Sequence, residues 1–190
     1  MRLTRATPKA IKYACMKFHY AKAVPVNPIG YNVYNQQDEW CGCVLYAYGA
    51  NKAIGSQYGL QNGECLELVR VALNGKQECT SQAVAMSLKQ VHKDCPLCQL
   101  VVSYADCDQQ HLGTIYQATN WIYVGEMNKG DVSAFIINGK KTHKKSVYSK
   151  IVIEGGQKYI AHKHWRWCAN TLMQMHKCST LKAKESILCH

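Results

Sequence analysis

The chain has 190 residues, of which 47% are hydrophobic and 18% charged, and its formal net charge is +11. This length suits one domain with a core of its own, and no apolar run reaches the roughly 18 residues of a membrane span, so no membrane span is expected. The basic N-terminus lacks the apolar stretch and cleavage site of a secretory signal, and we interpret it as mature protein.

The first third of the chain predicts one helix and one buried strand. Pro8 is tolerated in a first helical turn, and residues 9–18 are predicted to form a helix. Residues 24–31 contain two prolines and a glycine, which predicts a loop. The apolar run 41–48 predicts a buried strand, and residues 51–63 a loop or a frayed helix.

The middle third predicts a strand followed by a helix. Cys65–Leu73 alternates between apolar and polar residues, which favours a strand with one polar face. Thr80 or Ser81 is predicted to cap a helix that runs through residues 83–94 and is broken by Pro96.

The following segment predicts strands at 99–104 and 121–126, with a short helix at 111–120 between them. An Asn-Gly pair after a further strand at 133–137 predicts a hairpin turn. The rest of the chain is basic and weakly patterned. This order of elements predicts an α/β (α+β) fold with a mixed sheet.

Charge is unevenly distributed along the chain. Residues 1–22 carry six Lys or Arg and no acidic residue, and residues 138–190 carry eleven Lys or Arg and two acidic residues. Basic segments on both sides of a net-negative body are typical of a protein that docks on a polyanion, so nucleic acid is the predicted partner. A solvated lysine-rich surface is the alternative. The candidate phosphate contacts are the N-terminal lysines and Lys140, Lys141, Lys144 and Lys145.

The eleven cysteines are an odd number, scattered through predicted strands and helices. Secreted disulfide frameworks are usually smaller and have an even count, so free thiols and a cytoplasmic location are expected. Cys95 and Cys98 form a single CxxC, and the C-terminal His and Cys residues match no strong zinc spacing. Structural zinc is therefore not favoured.

The strand–turn–helix–strand–helix–strand unit of residues 67–125 resembles the core of the GCN5-related N-acetyltransferase superfamily. The resemblance implies a catalytic domain over 1–150 and a basic C-terminal extension over 151–190. It implies an acyl-CoA donor such as acetyl-CoA, with its pyrophosphate at the helix N-terminus near 73–81. Only Gly75 of the glycine-rich signature is present, and a fold without an acyl donor is the alternative. The cofactor-binding candidates are Arg70, Val71, Leu73, Ser81 and Asn120.

Three sequence features carry a closer resemblance. Phe18-His19-Tyr20 precedes a proline, ELVR lies in the strand at 67–70, and SYAD is followed by HxGxIYQAxxW. Together they resemble the phage Mom-type DNA-modification proteins, a divergent branch of the same superfamily. The resemblance implies a phage protein in the bacterial cytoplasm that converts adenine of double-stranded DNA to an N6-carbamoylmethyl form and so prevents restriction. Adenine N6 is paired in a duplex, so the base is expected to be flipped.

Asp106 and Tyr116 are the main catalytic candidates. Adenine N6 is a poor nucleophile, so an enzyme must remove its proton and stabilise charge on the donor. Asp106 is the first choice for the base, and a helix-capping aspartate is the alternative. Tyr116 matches the superfamily's tyrosine that protonates the leaving thiolate, and core packing is the alternative.

His19 and His111 lie within the motifs, where imidazole shuttles protons or binds a metal. With Asp106 they would form the two-histidine, one-carboxylate set that ferrous iron prefers, and ordinary hydrogen-bonding histidines are the alternative. Tyr20, Ser103 and Tyr104 are further catalytic candidates. Ser103 and Tyr104 point to opposite faces of a strand, so only one of them faces the site.

Arg70 is expected to orient a phosphate or to pair with Glu67, and Ser81 to contact donor phosphate from the helix start. The aromatic residues predicted to stack on the flipped base are Tyr20, Tyr104 and Trp121. Two alternative functions stay open: an ordinary acyl-CoA-dependent N-acetyltransferase, and a non-catalytic DNA-binding module on the same scaffold.

Overall fold

The computed structural model describes residues 1–48, 54–106 and 109–125 with their side chains, and 126, 132–137, 140–143, 157–160 and 164–170 as backbone. The helices are α1 (Pro8–Phe18), α2 (Thr80–Asp94) and α3 (Thr114–Gln117). The strands are β1 (Arg2–Arg5), β2 (Ile29–Tyr34), β3 (Trp40–Ala47), β4 (Cys65–Leu73), β5 (Leu100–Asp106), β6 (Ile122–Glu126), β7 (Val132–Ile137), β8 (Lys140–His143), β9 (Gln157–Ile160) and β10 (His164–Asn170).

The main sheet is mixed, as predicted. Its seven strands lie in the order β1-β2-β3-β4-β5-β10-β6, and β4 and β5 form its parallel pair. The strand β10, from the predicted C-terminal extension, pairs with both β5 and β6. The boundary at residue 150 stays a prediction.

A second sheet has the order β8-β7-β9. Ile137 pairs with Lys140 in its antiparallel β7–β8 ladder, which leaves the two-residue connection of the predicted hairpin. The two connecting residues lie outside the described ones.

Helices α1 and α2 pack on opposite faces of the main sheet. Helix α1 begins with Pro8 after the N-cap Thr7, and its residues Ile11, Ala14 and Cys15 have the i, i+3, i+4 spacing of a buried stripe. They pack against a cluster that includes Leu45, whereas the neighbouring strand residues face a separate core under α2. The side that carries α1 is called the α1 face below.

The parallel pair β4–β5 is the feature that positions the site. Pairing runs from Cys65↔Leu100 to Leu68↔Ser103, yet β4 continues to Leu73 and β5 to Asp106. Against β3, the register of β4 shifts between Leu68 and Arg70, so Val69 is an extra, bulged residue. A bulge bends a strand and redirects its side chains. The C-terminal halves of β4 and β5 are therefore unpaired with each other.

Two predictions for the N-terminal part were incomplete. Strands β1 and β2 were not predicted, and β2 includes residues 29–31, which were expected to be loop. Gly30 lies within β2 because Ile11 and Leu45 fill the space beside it, and a Cβ there would come within 2.9 Å of both side chains. A glycine that helix packing requires was thus interpreted as a loop signal.

Three element ends also differ from the predictions. Cys79, rather than Thr80 or Ser81, is the N-cap of α2. Strand β5 runs two residues further than predicted, to Asp106, and α3 is only four residues long. Gly113 and Asn120, both in the left-handed region, bound the turn around α3.

The seven cysteines described with their side chains are free thiols, as predicted. Within the described residues, no helix combines the length and the apolar character that crossing a bilayer requires.

Candidate active site

A cluster of aromatic, acidic and basic side chains lies where α1 ends beside the C-terminal end of β5. His19 and Tyr20 follow α1 directly, and their rings stack at 4.3 Å between centroids. The Tyr20 ring also meets the His111 ring edge-on at 5.9 Å, and its hydroxyl donates a hydrogen bond to the Asp106 carboxylate. Four predicted site residues from two distant segments are thus in one place.

Asp106 is the last residue of β5, and it does not cap α3, whose N-cap is Gly113. Burial and the nearby Asp106 carboxylate raise the pKa of Tyr20 to about 12. Tyr20 therefore keeps its proton at neutral pH and remains a hydrogen-bond donor to Asp106. This pair gives the site a carboxylate oriented by a phenol.

His19 is buried, with 8% of its surface exposed. Burial and then the positive charge of Arg70, with smaller effects of His111 and Lys22, lower its pKa to about 4. Its Nδ1 accepts a hydrogen bond from the Ala21 backbone N–H at 3.1 Å. The ring is therefore neutral at pH 7 and carries its proton on Nε2, which makes it a donor towards a ligand.

The predicted iron set does not fit this arrangement. A histidine binds a metal through an unprotonated nitrogen, and the other nitrogen then carries the proton. In His19 the unprotonated atom is Nδ1, and the Ala21 N–H already occupies it. Among the fully described residues, no group of three or more His, Cys, Asp or Glu side chains has a geometry suited to a metal ion. No step of the chemistry below involves iron.

Arg70 lies on the α1 face beside the bulge, where its charge acts on His19 and Tyr20. Its Nη1 donates to the Val69 carbonyl at 2.6 Å, whereas its buried Nε has no hydrogen-bond partner. None of the salt bridges formed by the described side chains joins Arg70 to Glu67. The ion-pair alternative is therefore not observed, and Arg70 offers a buried donor to a ligand.

Ser103 and Tyr116 face the α2 side of the opening between β4 and β5. The Ser103 hydroxyl donates to the Leu68 carbonyl at 2.9 Å, so the Tyr116 hydroxyl, 2.8 Å from Ser103 Oγ, is the donor of that second bond. Burial raises the pKa of Tyr116, and the nearby Glu67 carboxylate adds to the shift. Tyr116 is thus both a core residue, 7% exposed, and a protonated phenol beside the unpaired strand ends.

Tyr104 lies on the opposite face of β5 from Ser103, as predicted, and packs beside the cluster of Ile54, Leu100 and Val102. Trp121 is 5% exposed and packs on Tyr116 at 5.0 Å between ring centroids. The Trp121 ring belongs to the core, and its stacking on a flipped base stays a prediction. Its Nε1 has no hydrogen-bond partner.

The N-terminus of α2 is the predicted binding site for the pyrophosphate of the acyl-CoA donor. Its N-cap is the thiol residue Cys79, and the first turn contains no acidic residue, which leaves backbone N–H groups for an anion. Ser81 lies at this end, with its hydroxyl 3.1 Å from Cys79 Sγ. Hydrogen bonds from Ser81 and from the Gln82 backbone lower the pKa of the exposed Cys79 thiol.

The other cofactor candidates have structural roles. Val71 and Leu73 pack against the core under α2, so only their backbone is open to a donor. Asn120 occupies the exposed left-handed turn after α3. Of the predicted phosphate-binding lysines, Lys140 and Lys141 lie in β8 of the second sheet, and Lys144 and Lys145 lie outside the described residues.

Glu67 lies at the candidate site, although the sequence did not predict it as a site residue. Burial raises the pKa of its carboxyl, and the positive charge of Arg70 opposes that shift. It also lines a pocket of about 410 Å³, together with Tyr48, Cys65 and Val102. The available signal was the ELVR motif, which places this acidic residue three positions before Arg70 in the strand.

The buried His19 predicts a pH-dependent stability. Its pKa of about 4 lies below the unfolded value of 6.5, so folding favours the neutral ring. This contribution is complete above pH 6.5 and is lost as the pH falls towards 4. When the pH is lowered from 7 to 4.5, we expect the unfolding free energy of the wild type to fall by roughly 2–3 kcal/mol more than that of a His19→Gln variant. Urea denaturation at both pH values measures this difference. His92→Gln, at an exposed position of α2, is the control, and an equal loss in wild type and His19→Gln would contradict the assignment.

Comparison with known proteins gives one family and one fold. The model of the Mom protein family matches residues 1–183. A chimera of the spermidine N-acetyltransferase SpeG from Vibrio cholerae and hSSAT is 10% identical, with a TM-score of 0.53 over 90% of this chain and 97% of that one. An acetyltransferase from Bacillus subtilis in complex with CoA is 11% identical, with a TM-score of 0.50 over 90% of this chain and 99% of that one. No curated protein matches the chain. The likeness confirms the predicted acetyltransferase-type fold.

Proposed function

Because this chain belongs to the Mom protein family, we propose that it is a transferase that modifies adenine in DNA at N6. The observation that carries the proposal is the Asp106 carboxylate, which Tyr20 orients at the open ends of β4 and β5. A carboxylate in that position suits proton removal from a weakly nucleophilic amine. The product implied by the resemblance is an N6-carbamoylmethyl-type adduct that protects phage DNA from restriction.

The transfer step needs one base, one acid and one hydrogen-bond donor that stabilises the developing negative charge. A bond forms between N6 and the transferred carbon, the bond from that carbon to the leaving group breaks, and the N6 proton passes to Asp106. The buried Arg70 Nε, which lacks a partner, is placed to donate to negative charge that develops on the transferred group. Burial raises the pKa of Tyr116, so its phenol is protonated at neutral pH. It can act as the acid when its hydroxyl exchanges the bond to Ser103 for one to the leaving group.

An acyl-CoA is the donor class that fits the α2 N-terminus. The Bacillus subtilis acetyltransferase of the same fold is in complex with CoA, which supports this choice. The residues present fit a pyrophosphate, because the first turn has free N–H groups and no acid, and the neighbouring Glu78 carboxylate accepts the Gln36 N–H at 2.6 Å. When bound, an acyl-CoA would supply a carbonyl carbon and a thiolate leaving group, and direct transfer would give an N6-acyl adenine. The N6-carbamoylmethyl product is joined through a methylene carbon, so it requires a donor whose leaving group is on that methylene.

Donor binding at this helix end predicts protection of Cys79. The thiol is exposed and its pKa is lowered, so we expect iodoacetamide to label it faster than Cys95, at the other end of α2. CoA at about ten times its Kd should slow Cys79 labelling about tenfold and leave Cys95 unchanged. Peptide mass spectrometry measures both rates. Unchanged Cys79 labelling at saturating CoA would place the donor elsewhere.

Nucleoside mass spectrometry of plasmid DNA from cells expressing the chain tests the proposal. A new deoxyadenosine with a carbamoylmethyl-type mass supports it, whereas unmodified DNA from folded protein contradicts it. The fold of the spermidine acetyltransferases makes an ordinary N-acetyltransferase the second candidate. Turnover of acetyl-CoA with a small amine and without DNA would favour that candidate, and binding without any turnover would indicate a DNA-binding module.

A further inference from the structure

Helix α1 presents an outer surface that combines cations with large exposed apolar side chains. Tyr13 is 52% and Met16 45% exposed, and Lys9, Lys12 and Lys17 are exposed beside them. These five residues are called the α1 ridge. A soluble helix normally presents charged and polar residues outward, so two such apolar side chains on one short helix need an explanation.

All charged side chains of the α1 ridge are basic. The first acidic residue of the chain is Asp38, so neither α1 nor the segments flanking it provide a carboxylate. The salt bridges of the described side chains involve Arg2, Arg5 and Lys76, and none of the ridge lysines. A partner that places negative charge along the ridge would therefore meet matching charge.

The aromatic part of the ridge is held in place from below. The Tyr13 ring packs against Phe18 and Trp40, each at 5.8 Å between ring centroids, while half of its surface stays open to solvent. A phenol held by two rings on one side and exposed on the other is a preformed stacking surface. Sequence-tolerant binding of single strands uses this combination of a basic track and stacking aromatics.

The ridge leads directly into the candidate active site. Helix α1 ends at Phe18, and the next two residues are His19 and Tyr20, which bonds to Asp106. Eleven residues of helix extend for about 16 Å, roughly the rise of five nucleotides along one strand of a duplex. A strand that follows the ridge therefore brings its next nucleotide to Asp106.

From this arrangement we propose that the α1 ridge binds the DNA strand that carries the target adenine, in a locally unpaired form. Lys9, Lys12 and Lys17 contact its phosphates, and Tyr13 stacks on a base next to the flipped adenine. This inference rests on the proposed function, since it identifies the part of the substrate that the enzyme holds. Opening the duplex and unstacking the adenine is unfavourable, and a stacking surface for the neighbouring base offsets part of that cost.

The experiment compares two charge-matched double variants of the full chain. Lys12→Ala/Lys17→Ala removes ridge charge, and Lys89→Ala/Lys93→Ala removes the same charge from α2, on the opposite face of the sheet. Binding to a fluorescent single-stranded oligonucleotide is measured by anisotropy at several salt concentrations. We expect the slope of log K against log salt to decrease by about 1.4 for the ridge variant, since each lost phosphate contact on a single strand contributes about 0.7. The α2 variant should keep the wild-type slope.

The stacking part is tested with tyrosines of equal exposure. Tyr13 and Tyr48 are 52% and 53% exposed, and Tyr48 lies at the end of β3, away from the ridge. Tyr13→Ala should weaken single-strand binding by about 5–100-fold, the range expected for one stacked base, whereas Tyr48→Ala should not. Circular dichroism of each variant confirms that it is folded.

Equal slopes for the two double variants, or equal effects of the two tyrosine variants, would overturn the proposal. A ridge effect seen only with fully paired duplex would indicate duplex docking and overturn the single-strand part. Because these measurements report binding alone, they remain informative if no modified adenine is found. In that case the ridge would still be a DNA-binding surface, although the proposed chemistry had failed.

Discussion

Replacing Asp106 with asparagine is expected to lower adenine modification by about 10²–10⁴-fold, the usual effect of losing a positioned general base. Asparagine has nearly the same shape, and its carbonyl still accepts the hydrogen bond from Tyr20, so the site keeps its geometry. It lacks the basicity needed to take the N6 proton. The measurement is the fraction of modified deoxyadenosine in plasmid DNA from cells that express each variant.

Asp38→Asn is the matched control for this prediction. Asp38 is exposed and pairs with Arg2 at the far edge of the sheet, so its loss should leave modification unchanged. Single-strand binding should be equal in both variants, because neither residue belongs to the α1 ridge. Near-normal modification by Asp106→Asn would assign the base to another residue, and Glu67 would be the next to test.

The largest expected effect on stability is that of Gly42→Ala. Gly42 has φ +124°, and a Cβ built there would lie 2.1 Å from the Ala72 carbonyl oxygen of the neighbouring strand. Both the backbone conformation and the clash with a backbone atom are unfavourable. We expect a loss of about 3 kcal/mol or more, or a fall in Tm of roughly 6–12 °C. Thermal unfolding monitored by circular dichroism measures it.

Gly59→Ala separates the two causes. Gly59 also has a positive φ, +71°, but a Cβ there has open space around it. This variant should lose only about 1 kcal/mol, the cost of alanine in a left-handed conformation. Similar losses in both variants would show that the clash at Ala72 is relieved by a backbone shift. Because Gly42 pairs with Leu73, such a shift would also move the end of β4, which precedes the N-terminus of α2.

The sequence predicted those strands and helices whose packing is reflected in the spacing of their own apolar residues. Cys65–Leu73 was predicted to the residue, because its alternation reflects two differently packed faces. Strands β1 and β2 were not predicted, since Gly30 and Asn32 of β2 are buried for reasons that lie in other elements. The Asn32 amide donates to the Arg5 carbonyl, and its side-chain oxygen accepts from the Trp40 indole. No spacing within β2 contains that information.

Much the same holds for the site. The motifs made His19, Tyr20, Asp106 and His111 site candidates without showing that they converge, and the structure brings them together. What spacing cannot give is the protonation and burial of each group. One backbone N–H at Ala21 makes His19 unsuitable as a metal ligand, and tight packing makes Trp121 a core residue.

The bulge at Val69 has a similar origin. It is visible only in the pairing of β4 with β3, yet it directs Arg70 to the α1 face and separates β4 from β5. The sequence ELVR gives no sign of an extra residue in the strand. The opening on which the proposed chemistry depends is thus a property of strand pairing, which single-strand patterns do not reveal.

The position of β10 has a consequence for synthesis on the ribosome. His164 pairs with Asp106, so one edge of β5 stays unpaired until β10, about 60 residues later in the chain, has been translated. At roughly 5–20 residues per second, that is a delay of several seconds during which one edge of β5 is uncovered. An uncovered edge favours association with other chains. The nascent chain therefore carries Asp106, the proposed base, on an incomplete sheet until β10 has been made.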